Sequence, residues 1–156
     1  MHSSKGFSLL EVVIVMVIIT ILVTFAVPDL MGWSARAQLK KATRDVYATL
    51  QRARIGALKN GVPWEVNFDL NKQFFQLRDP GKDMVLRTKD DVTTITDFKE
   101  YNGVTVKKVT FPRKRATFKS GGTLVQGGTV SLENNEGDKF DVIALFTTGR
   151  IRIKEK

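Results

Sequence analysis

Lys5-Gly6-Phe7-Ser8-Leu9-Leu10-Glu11 opens an apolar run that continues to Val27, and between Val12 and Val27 only Thr20 and Thr24 are polar. Counted from Phe7 the run is about 21 residues, enough for a helix to cross a hydrocarbon core of roughly 30 Å. Glu11 breaks the pattern. An unpaired carboxylate at that depth costs on the order of 3 kcal/mol, so its presence needs a reason. A secretory signal has a shorter apolar core and a small-residue cleavage site, whereas this run ends Phe25-Ala26-Val27-Pro28. A plain membrane anchor has no use for Glu11. A helix that leaves the bilayer and packs beside copies of itself does, because a buried charge must be paired and a neighbouring chain's N-terminal amine can pair it.

Gly6-Phe7-Ser8-Leu9-Leu10-Glu11, with its short basic leader, resembles the class III leader of type IV pilins and pseudopilins. The resemblance implies that a prepilin peptidase cuts between Gly6 and Phe7 and methylates the new amine of Phe7. It also implies that Glu11, then the fifth mature residue, serves filament assembly, and that Pro28 bends the helix. A count of flanking bases points the other way: Lys5 precedes the run, while Arg36, Lys40, Lys41 and Arg44 follow it. Long domains translocate largely regardless of charge, so the leader decides the orientation. The expected location is the bacterial inner membrane, single-pass with a periplasmic C-terminal domain, and then a pilus or pseudopilus.

The 156 residues, 42% of them hydrophobic and ten of them Phe, allow one anchor and one globular domain with its own core. There is no Cys, so that core holds without disulfides, and the C-terminal disulfide loop of many pilins is missing. The single His is His2, inside the leader. A mature chain without His or Cys excludes Ser-His and Cys-His nucleophilic sites and most transition-metal sites, and no calcium-loop spacing is present. An enzyme is not expected, nor any cofactor. The net charge is +9, or +8 in side chains once Lys5 is lost (24 basic minus 16 acidic). That surplus favours polyanions or an anionic membrane surface.

Beyond Pro28 the helix is expected to continue as an amphipathic one. Ala35, Leu39, Ala42, Val46, Leu50, Ala53 and Ala57 recur at spacings of three or four, and Asn60-Gly61 before Pro63 is a stop signal. The other face is basic, with Arg36, Lys40, Lys41, Arg44, Arg52, Arg54 and Lys59 against Asp45, as a solvated face would be. After Gly61 the pattern becomes strand-like: Val62 to Phe68, Gln73 to Arg78, a short third strand from Asp83 to Arg87, then a loop from Thr88 to Asp97. Phe98 to Phe111 reads as strand, Ala116 to Lys119 as a short one, and 121–128 as a glycine-rich loop. Gly128 to Glu133 and Lys139 to Thr147 form a hairpin around Asn134-Asn135-Glu136-Gly137, and Arg150 to Lys154 is the last strand. The expected fold is α+β, a long N-terminal helix packed on antiparallel β-sheet. Its divisions are a leader at 1–6, a transmembrane and assembly helix at 7–27, an amphipathic helix at 28–61 and a β-rich periplasmic domain at 62–156.

The second half resembles the GspH/FimT-like pseudopilins and minor pilins, in 50–61, in Phe118-Lys119-Ser120-Gly121 and in 143–152. With the leader, the fold it implies is type IV pilin-like. Gly149-Arg150-Ile151-Arg152 is the sharpest local feature. On a strand, Arg150, Arg152 and Lys154 share one face, about 7 Å between successive bases, while Ile151 and Ile153 face the core. The motif looks like the C-terminal Gly-Arg-x-Arg that this family associates with capturing DNA for uptake. Lys107-Lys108 and Arg113-Lys114-Arg115 form a second basic cluster, in which Val109, Phe111 and Phe118 are expected in the core. The expected function is that of a minor pilin of a type IV pilus, with DNA a conditional, sequence-independent ligand. The alternative is a GspH-like minor pseudopilin of a type II secretion system. Expected partners are other pilins or pseudopilins, the prepilin peptidase and the inner membrane.

Overall fold

The computed structural model describes residues 8–156, apart from the side chains of 23–33. Two units are distinguished, up to Ser34 and Ala35–Lys156, and one helix, α1 (Leu9–Asn60), contributes to both. In the first unit the described side chains from Leu9 to Leu22 are exposed, Glu11 among them. Among the described residues no helix is long and apolar enough to cross a membrane. The span expected at 7–27 includes Phe7 and the side chains of 23–27, which lie outside the described residues, as do Gly6 and the side chain of Pro28, the residue expected to bend the helix.

In the second unit the helical stripe reads as the spacing requires. Leu39, Ala42, Val46, Leu50, Ala53 and Ala57 are all fully buried, which is what one face of a 3.6-residue repeat presents to a core. The helix ends where Gly61, at φ 68°, donates its N–H to Ala57 O at 3.1 Å. That left-handed residue closes the last turn at little cost because glycine has no Cβ.

Eight strands follow: β1 (Trp64–Asp69), β2 (Phe74–Asp79), β3 (Val92–Asp97), β4 (Thr105–Val109), β5 (Arg115–Phe118), β6 (Gly128–Glu133), β7 (Lys139–Ala144) and β8 (Ile151–Glu155). They form two antiparallel four-stranded sheets, ordered β3-β2-β1-β5 and β4-β6-β7-β8. The stripe of α1 and the inner faces of both sheets share one core. Phe68, Phe75, Phe98 and Tyr101 run through it in edge-tilted contacts, with Phe111 stacked on Phe68. Gln73 ties the sheets together, since its amide donates to Val106 O at 3.2 Å and accepts from Val106 N at 2.8 Å. The α+β expectation holds.

Four local expectations do not. Asp83–Arg87 is not a strand but part of a turn-rich segment, and the strand lies one segment later, at β3. β3 is an edge strand with Val92, Thr93, Thr94 and Ile95 exposed on both faces, so no alternation marks it in the sequence. Phe98–Glu100 is a 3₁₀ turn capped by Asp97, whose carboxylate accepts from Lys99 N at 2.8 Å. β7 ends at Ala144, because Leu145–Arg150 closes as a tight turn. Ile153 is 39% exposed and not in the core, since β8 is the last strand of its sheet.

The 80–91 segment is held by two carboxylates. Asp90 Oδ2 accepts from Lys82 N and Asp83 N at 2.8 and 3.0 Å, and Asp90 Oδ1 accepts from the Thr88 hydroxyl at 2.6 Å. Asp91 accepts from Arg87 N at 2.8 Å and pairs with Arg78 at 3.1 Å. The Thr88 hydroxyl and the Asp83 amide lower Asp90 to about 2. At Asp91 burial raises the carboxyl, but the Arg87 and Thr88 amides and Arg78 outweigh it and the net shift is downward. A depressed carboxylate contributes stability that is complete above its unfolded value of about 3.9 and is lost as pH falls through the folded value. The amides of Lys82, Asp83, Arg87 and Thr88 are therefore expected to shift and lose protection between about pH 4 and pH 2, read by amide NMR, before the amides of β6 and β7 do.

Candidate polyanion-binding face

The inner and outer faces of the β4-β6-β7-β8 sheet follow from its register. Val109, Val130, Val142 and Ile153 form one row across the four strands, on the core side. The next row is Lys108, Ser131, Asp141 and Lys154, on the opposite side. Beside it run Thr129, Ile143 and Arg152, and exposed Arg150 adjoins them in the turn before β8, its carbonyl accepting from Leu145 N at 2.9 Å. Glu133 and Lys139 flank the first row, with Lys156 next to Lys139 through a backbone bond of 3.0 Å. A bulge between Val106 and Lys108 sets Lys107 out of register.

Charges on this outer face do not balance. Lys156 Nζ lies 2.8 Å from Asp141, and Lys139 Nζ lies 3.4 Å from Glu133. Asp141 is buried beneath those bases: burial raises its carboxyl, while the hydrogen bond from Lys156, the Ser131 hydroxyl and the charge of Lys154 lower it more. That accounts for two of six bases. Lys108, Arg150, Arg152 and Lys154 are exposed and form no ion pair among the described residues, although the charge of Lys154 is felt by Asp141. With strands about 4.8 Å apart, Lys108 and Lys154 lie about 14 Å from each other across the sheet. Such a patch can line up charge-assisted bonds to a row of phosphates without reading bases.

The turn that delivers Arg150 is braced from the helix. Arg54 Nε donates to Gly122 O and Arg54 Nη2 to Thr148 O, both at 3.2 Å. Gly149 sits at φ 62°, and a Cβ there would collide with Gly122 O. The glycine of Gly149-Arg150-Ile151-Arg152 is thus required by packing, whatever the arginines do. Other bases of the helix also have structural work: Arg36 pairs with Glu155, and Lys41 Nζ stands 5.5 Å above the Tyr101 ring.

The structure divides the second basic cluster. Lys108 joins the outer face just described, whereas Arg113, Lys114 and Arg115 belong to the turn and strand at the β5 edge of the other sheet. Lys114 Nζ is turned back onto Val109 O at 2.9 Å. Val109, Phe111 and Phe118 are buried, as expected. Lys139 and Lys156 were not singled out from the sequence; alternation places Lys139 with Asp141, but only the pairing of β7 with β8 adds Lys156. Glu65, an acid buried to 1% exposure, also gave no sequence signal. Among the described residues no group of three or more His, Cys, Asp or Glu could hold a metal ion.

Residues 1–27 match the family model of the prokaryotic N-terminal methylation motif, and residues 42–149 match that of the type II transport protein GspH. Type II secretion system core protein G of Vibrio cholerae is 40% identical over 62 residues, 40% of this chain and 42% of that protein. Its counterpart from Escherichia coli is 46% identical over 44 residues, 28% of this chain and 30% of that protein. The chain therefore spans less than half the length of the curated relatives it matches. Among solved structures, the minor pseudopilin EpsH from the type 2 secretion system of Vibrio cholerae superimposes with a TM-score of 0.59 at 17% identity, covering 76% of this chain and 97% of that one. The type IV minor pilin FimU of Pseudomonas aeruginosa does so with a TM-score of 0.59 at 19% identity, covering 78% and 92%. At these identities the likeness is one of fold.

Proposed function

We propose, from the premise that this chain belongs to the GspH family, that it is a minor pseudopilin of a type II secretion system. The match of residues 42–149 to the family carries the reading, and the methylation motif over 1–27 and the relatedness to core protein G support it. In this role the chain is structural and not enzymatic. A prepilin peptidase removes residues 1–6 and methylates Phe7, residues 7–27 hold the chain in the inner membrane, and residues 62–156 face the periplasm. Assembly then brings Glu11 to a neighbouring subunit's N-terminal amine. Deleting the gene is expected to abolish secretion of the system's exported proteins and leave surface pili intact. Lost pili with normal secretion would transfer the chain to the type IV pilus. Mass spectrometry of the mature chain is expected to begin at N-methylated Phe7.

A second reading, a minor pilin of a type IV pilus that touches DNA, is favoured by the exposed bases Lys108, Arg150, Arg152 and Lys154, none of which forms an ion pair among the described residues. Phosphate contacts give binding that is salt-sensitive and sequence-independent. In an electrophoretic shift with the Ala35–Lys156 unit, Arg150→Ala/Arg152→Ala is expected to weaken duplex binding and to reduce the salt slope by about 2. No shift at about 50 mM salt removes DNA as a ligand.

A further inference from the structure

The outer face of the β3-β2-β1-β5 sheet holds a concavity of about 300 Å³ that none of these roles uses. Arg87 reaches it from the 80–91 segment, Arg113 from the turn before β5, Arg115 and Thr117 from β5, and Val125 and Gln126 from the segment beyond. Behind these residues lies Glu65. Arg87 Nη2 is 2.6 Å from its Oε2, Arg115 Nε is 3.9 Å from its Oε1, and the Thr117 hydroxyl donates to Oε2 at 3.3 Å. One carboxylate thus serves two guanidinium groups, and Arg113, exposed at the rim, has no acidic partner among the described residues. Three arginines against one glutamate leave a formal charge of +2 (3 − 1).

The turn that presents Arg113 is conformationally costly. Arg113 (φ 51°) and Lys114 (φ 58°) are consecutive left-handed residues, neither of them glycine. Such conformations persist only where the surroundings fix them, and they cluster at functional sites. Here Lys114 is fixed by its bond to Val109 O, and the backbone leaves Arg113 lining the concavity.

We propose that this pocket binds a dianionic oxyanion of the phosphate type, either inorganic phosphate or the terminal phosphate of a monoester. The guanidinium fork donates two parallel bonds to an oxyanion, and the Gln126 amide adds a donor beside the apolar wall of Val125. A terminal phosphate carries about −1.5 to −2 charges at neutral pH, which matches the residual +2. A carboxylate or a backbone phosphodiester brings only one. The site lies on the other sheet from the polyanion-binding face and does not depend on the assembly role.

Calorimetric titration of the full chain in detergent, at constant ionic strength, tests this with inorganic phosphate, glycerol 3-phosphate and dimethyl phosphate. One saturable site per chain is expected for the first two, with the tighter of them identifying the free ion or the monoester as the source. Dimethyl phosphate, a monoanion, is expected to bind at least about tenfold more weakly. Arg113→Gly removes the fork and places glycine where φ is positive, so the fold is kept and the thermal midpoint does not fall. Its phosphate affinity is expected to drop about tenfold or more, while Lys72→Gln, the same charge change in the β1–β2 turn, leaves affinity unchanged. No saturable binding of either phosphate up to about 10 mM would overturn the proposal. So would equal affinity for dimethyl phosphate, or an Arg113→Gly chain that binds phosphate like its parent.

Discussion

Gly149→Ala is expected to lower the thermal midpoint of the Ala35–Lys156 unit by on the order of 10 °C. Two effects add. Alanine in the left-handed conformation of residue 149 costs about 1 kcal/mol, and its Cβ collides with the carbonyl of Gly122, which is backbone and is itself held by Arg54. Relieving an overpacked contact of that kind costs about 1–3 kcal/mol more. Arg150→Ala/Arg152→Ala, in the same four-residue motif, is expected to move the midpoint by no more than about 2 °C, because both side chains are exposed and unpaired. Differential scanning calorimetry of the two variants separates the motif into a glycine needed for folding and arginines available for binding. A Gly149→Ala midpoint equal to the parent's would mean that the Gly122 loop moves aside freely and that the glycine has no structural role.

Glu11→Ala is expected to reduce incorporation of the chain into its filament to near background, while the Ala35–Lys156 unit keeps its thermal midpoint. The separation follows from position. Among the described residues, every buried apolar residue of the core lies between Leu39 and Ile151, so the substitution touches none of them. In the proposed filament of apolar helices, by contrast, a neighbouring subunit's amine would lose its counter-charge, and removing one member of a buried pair costs about 3–5 kcal/mol. Glu11→Gln is expected to fail similarly, because it keeps the shape and loses the charge. Filament fractions probed for the chain give the readout, and normal incorporation of Glu11→Ala would remove the pairing account of this carboxylate.

Much of the fold was legible because it is written in local periodicity. The stripe from Leu39 to Ala57 predicts both the helix and its buried face, since a 3.6-residue repeat needs no knowledge of its partner. The stop at Asn60-Gly61 and the hairpin around 134–137 are legible for a similar reason: glycine and asparagine mark backbone conformations that other residues avoid. β3 was missed where that logic fails. An edge strand exposed on both faces has no alternation, and the β-branched residues of Val92-Thr93-Thr94-Ile95 were the remaining signal. The 80–91 segment likewise takes its form from Asp90 and Asp91 folding back on amides up to eight residues away.

The sequence by itself determined that a helix with one charged residue in an apolar run precedes a basic, cysteine-free α+β domain, and it placed Arg152 and Lys154 on one side of a strand, while Arg150, expected on that strand, stands in the turn before it. Only the tertiary structure decided which charges meet. Strand register, a long-range property, put Lys108 in line with Lys154 three strands away and gave Asp141 to Lys156. The division into two sheets separated Arg113 and Arg115 from Lys108 and put Arg115 onto Glu65 with Arg87, across separations that no local pattern encodes. Periodicity assigns each side chain to a face, but which other faces it meets depends on pairings that form only when the whole core closes.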